Sequence, residues 1–121
     1  MKSKRSVIAI LLMSFLFVAC SPVKVDLSLE KAPRYKDGES YPMVIKAMEG
    51  KEGVTGLHIM ATLEMAKMDH GVIEINFTDN GDGTYSGEVE LPMEGEWIGD
   101  FRIDENGEIY ETTIQFDVKG G

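Results

Sequence analysis

Two histidines and three methionines lie within thirteen residues of this 121-residue chain, and their side chains are the ones best suited to chemistry. His58 and Met60 are two residues apart, and Met65, Met68 and His70 follow as an M-x-x-M-x-H run. Thioether sulfur is a soft, uncharged ligand that selects Cu(I), and imidazole suits both Cu(I) and Cu(II). Two thioethers and one imidazole in a loop therefore predict a three-coordinate Cu(I) site that needs no thiolate.

Other interpretations of this cluster stay open. Zinc is a poorer fit, because it normally takes cysteine, histidine or carboxylate ligands and only Asp69 is near in sequence. Met93 is a candidate fourth copper ligand, since it lies in a turn that can reach the same end of the fold. His58 and Met60 are weaker candidates, because on a strand they share an outer face and can contact a partner instead. Methionine is also a common filler of irregular gaps in cores.

No enzyme motif accompanies these residues. The chain has no serine nucleophile elbow, no H-E-x-x-H pair and no phosphate-binding loop. Paired carboxylates such as Glu94 and Glu96 fall in predicted turns, where we expect them to be solvated. We therefore expect no catalytic activity and no catalytic residue.

The single cysteine, Cys20, ends an apolar run that follows a basic amino terminus. Three basic residues stand within the first five positions, and Val7 to Ala19 is apolar except for one serine. This layout is typical of a secretory signal peptide, and the run is shorter than the roughly 20 residues that span a bilayer. With no second cysteine, we expect the fold to be held by its core alone.

The segment Phe17-Val18-Ala19-Cys20 resembles the bacterial lipobox, in which the cysteine is acylated and becomes the first residue after cleavage. The resemblance implies a signal peptide over residues 1–19, a lipidated tether over 20–24 and a domain over 25–121. A diacylglyceryl group, with fatty chains such as palmitate, supplies the two chains that stable anchoring requires. The protein would then lie on the extracytoplasmic face of the bacterial cell membrane. The alternative is an ordinary secreted protein whose cysteine merely ends the apolar run.

The chain is strongly acidic, with a formal net charge of −9. All 21 acidic residues but only nine of the 12 basic ones follow Ala19, so the mature part carries −12. Such charge argues against nucleic acid as a partner, because binding to phosphates requires clustered cations. It also argues against docking of a basic surface on anionic headgroups, which leaves the lipid as the attachment to the membrane.

The residues beyond the tether alternate between apolar and polar in short rows separated by Gly, Asp and Asn, which predicts strands. Seven rows are visible, at residues 23–29, 41–47, 57–63, 73–77, 85–91, 97–103 and 114–118. This spacing predicts an all-β, immunoglobulin-like β-sandwich of about seven antiparallel strands, with an antiparallel barrel as the alternative. Trp97 is expected between the sheets, with a backbone acceptor for its indole nitrogen.

Several segments resemble the YtkA-like family of small extracytoplasmic domains, which is related to the FixH proteins. They are Tyr35-Lys36-Asp37-Gly38, Tyr41-Pro42-Met43-Val44-Ile45, the run from Met65 to His70, Asp82-Gly83-Thr84-Tyr85 and Leu91-Pro92-Met93-Glu94-Gly95-Glu96-Trp97. The resemblance covers about residues 25–118. It implies an immunoglobulin-like sandwich and a role in handling copper or assembling respiratory oxidases. Many members read Met-Pro-x-Met-x-His in the loop, where this chain has Ala66 in place of the proline.

Together these features predict a lipid-anchored, Cu(I)-binding domain with Met65, Met68 and His70 as ligands and Met93 as a fourth. Its partners would be the membrane, through the lipid, and a membrane protein that handles copper or belongs to an oxidase. The alternative is an interaction module without metal, in which the methionines form an adaptable apolar contact with a membrane-protein partner.

Overall fold

All regular structure in the described part of the chain is β-strand. The structure is a computed structural model that describes residues 25–67 and 71–121. Its strands are β1 (Asp26–Lys31), β2 (Tyr41–Glu49), β3 (Glu52–Gly53), β4 (His58–Met65), β5 (Ile73–Asn76), β6 (Thr78–Asp79), β7 (Thr84–Val89), β8 (Gly95–Glu105) and β9 (Glu108–Val118). Within these two ranges there is no helix with the length and apolar character needed to cross a bilayer.

The strands form two antiparallel sheets. One has the order β1-β2-β7-β6, with β3 paired to β2, and the other has the order β5-β4-β8-β9. This is the strand order of immunoglobulin-like sandwiches, in which the first, second and fifth principal strands share a sheet. The predicted all-β sandwich is confirmed. The barrel alternative is wrong, because its strands would close into one continuous sheet.

The core lies between the sheets and follows from the alternation in the sequence. In β2 the side chains of Met43, Ile45 and Ala47 are fully buried, while the intervening side chains are partly exposed. In a strand, successive side chains point to opposite faces, so one apolar row per strand is enough to cover the facing sheet. The largest fully buried side chains are those of Trp97 and Tyr85. Burial of the tryptophan between the sheets is thus as expected from the sequence.

The structure has nine strands where the sequence predicts about seven. The two additional strands, β3 and β6, have two residues each and show no periodicity of their own. The last strand begins at Glu108, six residues before the predicted row, because it pairs residue by residue with β8. The third row continues to Met65, which is therefore the last residue of β4 and not part of the loop. Val23 of the first row lies outside the described residues.

The chain changes sheets after β5. The sequence places a turn at residues 78–83 between two predicted neighbouring strands, but β5 pairs with β4 whereas β7 pairs with β2 and β6. Phe77 lies at the crossing, and its backbone N–H donates to the carbonyl of Ile59 at 3.0 Å. The turn itself is present, and Gly81 and Gly83 adopt φ values of 87° and 95°, which favour glycine.

The two edges of the sandwich are joined near the carboxyl terminus. Tyr35 forms a parallel bridge with Gly120. Its N–H donates to the carbonyl of Lys119 at 2.9 Å, and its carbonyl accepts from the N–H of Gly121 at 2.8 Å. The segment after β1 is thereby tied to the segment after β9.

Candidate functional site

The strand registers define two ends of the sandwich. Met65 at the end of β4 lies opposite Trp97 near the start of β8, so the loops after β4 and before β8 are neighbours. We call this the methionine end, defined by Met65, Met93 and Gly95. The opposite end contains the turns at residues 79–84 and 104–107 and the first described residue, Val25. We call it the aspartate end, after Asp79, Asp82 and Asp104.

Met65 lies against the loop that carries Met93. A β-carbon built on Gly95 would be only 2.9 Å from Met65 Cε, so the thioether methyl occupies space that a larger residue would fill. The backbone of Gly95 has a φ of 132°, which also favours glycine. The N–H of Ala66 donates to the carbonyl of Glu96 at 3.0 Å and joins the two loops. Glycine at this position thus allows Met65 to approach the Met93 loop.

The Trp97 side chain forms a hydrogen bond to the backbone of the Met93 loop. Its indole Nε1–H donates to the carbonyl of Met93 at 3.3 Å, which is the backbone acceptor expected from the sequence. The Met93 side chain is partly exposed, and so is that of Met65, which also packs against the core. The structure therefore brings these two predicted ligands to the same end of the molecule, with partly accessible side chains.

Met68 and His70, the other two predicted ligands, lie outside the described residues, as does the predicted lipidation site Cys20. Lys67 and Gly71 are the described residues that precede and follow residues 68–70. The copper site formed by Met65, Met68 and His70 stays a prediction. In the described ranges no group of three or more His, Cys, Asp or Glu side chains is placed to hold a metal ion.

His58 and Met60 lie far from Met65 on the same strand. They are on the outer face of β4, while Ile59, Ala61 and Leu63 between and beyond them are buried. The distance from His58 to Met65 is seven residue steps, or about 23 Å along a strand. The structure therefore does not bring this pair to the methionine end.

The pair lines a separate depression of about 390 Å³ on the outer face of the sheet. In the strand register Met60 lies opposite Arg102, and His58 lies opposite Asp104. Arg102 and Asp104 both line this depression, so a positive and a negative side chain accompany the pair. His58 and Met60 as metal ligands stay a prediction.

A basic depression, not anticipated from the sequence, lies beside the methionine end. Lys31, Arg34 and Lys119 line a space of about 290 Å³ together with Asp117. Arg34 Nη1 donates to the carbonyl of Gly120 at 3.0 Å. Lys31 and Arg34 are close in sequence, but Lys119 is distant and joins them only through the contact between the segments after β1 and β9, so no local pattern could reveal the cluster.

Carboxylates and a buried tyrosine organise the aspartate end. Hydrogen bonds from the Thr84 hydroxyl and N–H lower the pKa of Asp82. Burial raises the pKa of Tyr85, whose hydroxyl donates to the carbonyl of Val54 at 2.7 Å and accepts from the N–H of Leu57 at 3.2 Å. These groups are already occupied by protein partners, so we assign them a structural role.

Comparison with known proteins gives one assignment. No curated protein matches the chain closely enough to be counted as a relative. The sequence profile of the YtkA-like family matches residues 18–102, which is well over half of the chain and includes β1 to β7 and most of β8. The matched region contains Met65, Met93 and Gly95 of the methionine end, and on this match the chain belongs to the YtkA-like family.

Proposed function

We propose that this YtkA-like protein is a lipid-anchored domain that binds Cu(I) at its methionine end. Met65, Met68 and His70 are the proposed ligands, with Met93 as a fourth. The observation that carries the proposal is the contact of Met65 with Gly95, because it places one predicted sulfur ligand beside the loop of another. Soft thioethers favour Cu(I) over hard cations, and this donor set requires no cysteine.

The anchoring half of the proposal rests on the signal-like segment before Cys20. Asp26 lies opposite Met48, near the far end of β2, so the chain enters the domain at the aspartate end. The five steps from Cys20 to Val25 span at most about 18 Å, whereas β4 alone extends about 23 Å from that end to Met65. A lipid on Cys20 would therefore favour orientations in which the aspartate end, and not the methionine end, lies next to the bilayer.

This orientation favours a particular kind of exchange partner. A copper site that faces sideways or away from the bilayer is accessible to the extracytoplasmic domain of a partner. It is not accessible to a metal entry site that lies level with the lipid surface. The resemblance to domains linked with copper handling and oxidase assembly agrees with an extracytoplasmic part of such a membrane protein as the partner. The acidic surface adds a general attraction for cations.

An anaerobic competition titration with Cu(I) tests the copper site. The parent protein is the soluble domain from Ser21 onward, which contains every described strand. We expect stoichiometric binding by the parent. We expect loss of that binding in a variant with Met65→Leu, Met68→Leu and His70→Ala, and weaker binding in Met93→Leu. Absence of binding by the parent would refute the metal site.

Two control variants separate a copper site from a general effect of methionine content. Met48→Leu changes a partly exposed methionine at the opposite end of the sandwich. A second control, His58→Ala with Met60→Leu, changes the pair on the outer face of β4. We expect both to bind as the parent does. Equal losses in the controls and the triple variant would contradict the proposed ligand set.

The lipid anchor is tested on the full chain produced in bacteria. We expect flotation with membranes and a mature mass that includes a diacylglyceryl group on Cys20. A Cys20→Ala variant should lose both. A protein that is secreted, with an unmodified cysteine, would support the alternative of a plain signal peptide.

An interaction module without metal is the second candidate. It is favoured by the packing of Met65 against the core, because a methionine in that position already fills a structural role. If Cu(I) does not bind, the partly exposed Met65 and Met93 would be interpreted as an adaptable apolar contact for a partner protein.

A further inference from the structure

The outer edge of β9 is a long, regular strand edge with no partner strand in the described residues. β9 pairs with β8 in one unbroken register from Glu108 to Val118. No described strand pairs with its other side, and the bridge between Tyr35 and Gly120 lies beyond its end. β1 contacts β9, and Lys31 of β1 and Asp117 of β9 both line the basic depression.

The other edges of the two sheets are protected. The register of β1 shifts between Leu29 and Lys31, and Pro33 follows. The edge strands β5 and β6 have four and two residues. Short edges, bulges, proline and charged side chains, lysine above all, are the devices by which proteins prevent edge-to-edge pairing. β9 has eleven residues with no bulge, no lysine and no proline, and the only such devices in its sequence EIYETTIQFDV are the carboxylates of Glu108, Glu111 and Asp117.

We propose that the β9 edge is a homodimer interface, in which two copies of this chain pair their β9 strands antiparallel about a two-fold axis at Thr113. The two four-stranded sheets would then form one continuous eight-stranded sheet. A two-fold axis perpendicular to the sheet keeps the core-facing rows of both copies on the same side, as a sandwich requires. This inference does not depend on copper binding or on the lipid.

The charges along β9 and the number of paired residues together select this register, since an axis on Thr112 also opposes no two carboxylates but pairs only nine residues of β9. Centred on Thr113, the pairing uses all eleven residues and places Glu111 opposite Gln115 of the other copy, so no carboxylate opposes another. Centring the axis on Ile114 would oppose Glu111 to Asp117. Centring it on Glu111 would oppose that residue to itself. Like charges directly opposite each other destabilise a pair of strands.

The pairing would also cover apolar surface that the monomer leaves accessible. Tyr110 and Ile114 face the core side but are only partly buried. In the proposed register Tyr110 lies opposite Phe116, and Ile114 lies opposite Thr112. Ile109, at the start of the same strand, is 43% exposed and is one of two large exposed hydrophobic residues in the described ranges.

The mature chain's charge of −12 opposes association of two copies, and this makes the proposal testable by salt. Raising the ionic strength from 0.01 to 0.15 M shortens the screening length from about 30 Å to about 8 Å. We therefore expect the dimer fraction, measured by sedimentation equilibrium of the domain from Ser21 onward, to increase with sodium chloride.

A charge variant tests the register. Gln115→Lys places an ammonium opposite Glu111 of the other copy at two symmetry-related positions. It should tighten dimerisation about 2- to 30-fold, as expected for two opposite-charge cross-strand pairs. The matched control, Thr55→Lys, makes the same change in net charge in an exposed segment away from the edge. Equal effects of both lysines would show a response to net charge only and would overturn the register.

Disulfide trapping provides a second test that does not depend on affinity. Residues directly opposite each other in an antiparallel pair have Cα atoms about 4.5–5.5 Å apart, within the range of a disulfide. Thr113→Cys, on the axis, should therefore form a covalent dimer under mild oxidation, whereas Gln115→Cys should not. A monomer at every salt concentration, with no faster cross-linking of Thr113→Cys than of Gln115→Cys, would overturn the proposal.

Discussion

At the aspartate end carboxylates bind backbone amides, whereas at the methionine end the loops rest on an indole and a thioether. Asp79 accepts from the N–H groups of Gly56 and Gly81 at 2.6 and 2.8 Å, and Asp104 accepts from Gly107 at 2.9 Å. At the methionine end the corresponding contacts are the 3.3 Å bond from Trp97, the 3.0 Å backbone bond from Ala66 to Glu96 and the packing of Met65 on Gly95.

This difference indicates a division of roles between the two ends. Charge-assisted hydrogen bonds to backbone amides are short and directional, so they hold turns in one conformation. Packing by a flexible thioether holds a loop with less directional preference. Segments that bind ligands are usually drawn from the less firmly held parts of a fold. This difference agrees with our proposal that the methionine end binds a ligand, and it assigns the aspartate end a structural role.

The largest expected effect comes from removing the indole beneath the methionine end. Trp97→Ala should lower the free energy of unfolding by about 3–5 kcal/mol, because Trp97 is among the largest fully buried side chains. Urea denaturation measures this change. Trp97→Phe, which keeps most of the apolar volume, is the control and should cost less. A change below 1 kcal/mol for the alanine variant would show that the indole does not support this end.

Tyr85→Phe should have the next largest effect, at the aspartate end. It leaves the carbonyl of Val54 and the N–H of Leu57 without their partner, and we expect a loss of about 1–3 kcal/mol in unfolding free energy. Tyr110→Phe is a matched control, because that hydroxyl bonds only to the exposed carboxylate of Glu108. Equal stability changes for the two variants would argue against a special role for the buried hydroxyl.

We expect the stability of the fold to depend on pH through Asp82, at the aspartate end. Its pKa is lowered below the ordinary value of 3.8, chiefly by the Thr84 hydroxyl, so the carboxylate is favoured in the folded state. Its contribution is therefore present above pH 3.8 and is lost as the pH falls through the lowered pKa. Asp82→Asn should be less stable than the parent at pH 7, with the difference shrinking below pH 3.8. An unchanged difference across a urea denaturation series at these pH values would contradict this assignment.

The smallest expected change in unfolding free energy comes from two conservative methionine substitutions. They separate an effect on copper binding from an effect on stability. Met93→Leu and Met48→Leu preserve apolar volume, so each should change the unfolding free energy by less than about 1.5 kcal/mol. Thermal unfolding without metal measures this. Only Met93→Leu should reduce the increase in melting temperature that Cu(I) produces. The same reduction in both variants would remove the distinction between the two ends.

Much of the fold was predictable from the sequence because alternation is a local property. Buried and accessible positions alternate along β2 and β8, and most of the buried ones are apolar, so the existence and the buried faces of these strands could be predicted before any tertiary contact was known. The first half of β9 could not, because its six residues from Glu108 to Thr113 are mostly polar and are held in place by pairing with β8. The end of β4 at Met65 was missed for a related reason, because methionine occurs both in this strand and in the sequence that follows it.

The sequence by itself determined the all-β class, the glycine-containing turns, the burial of Trp97 and the residue types suited to Cu(I), whereas the two separate sheets of the structure decided between a sandwich and a barrel. Only the tertiary structure decided which residues meet. It places Met65 beside the Met93 loop and separates both from His58 and Met60, and it gathers Lys31, Arg34 and Lys119 into one depression. The physical reason is that periodicity specifies which face of a strand is buried. Strand order and register specify which ends come together, and these depend on contacts between residues distant in sequence.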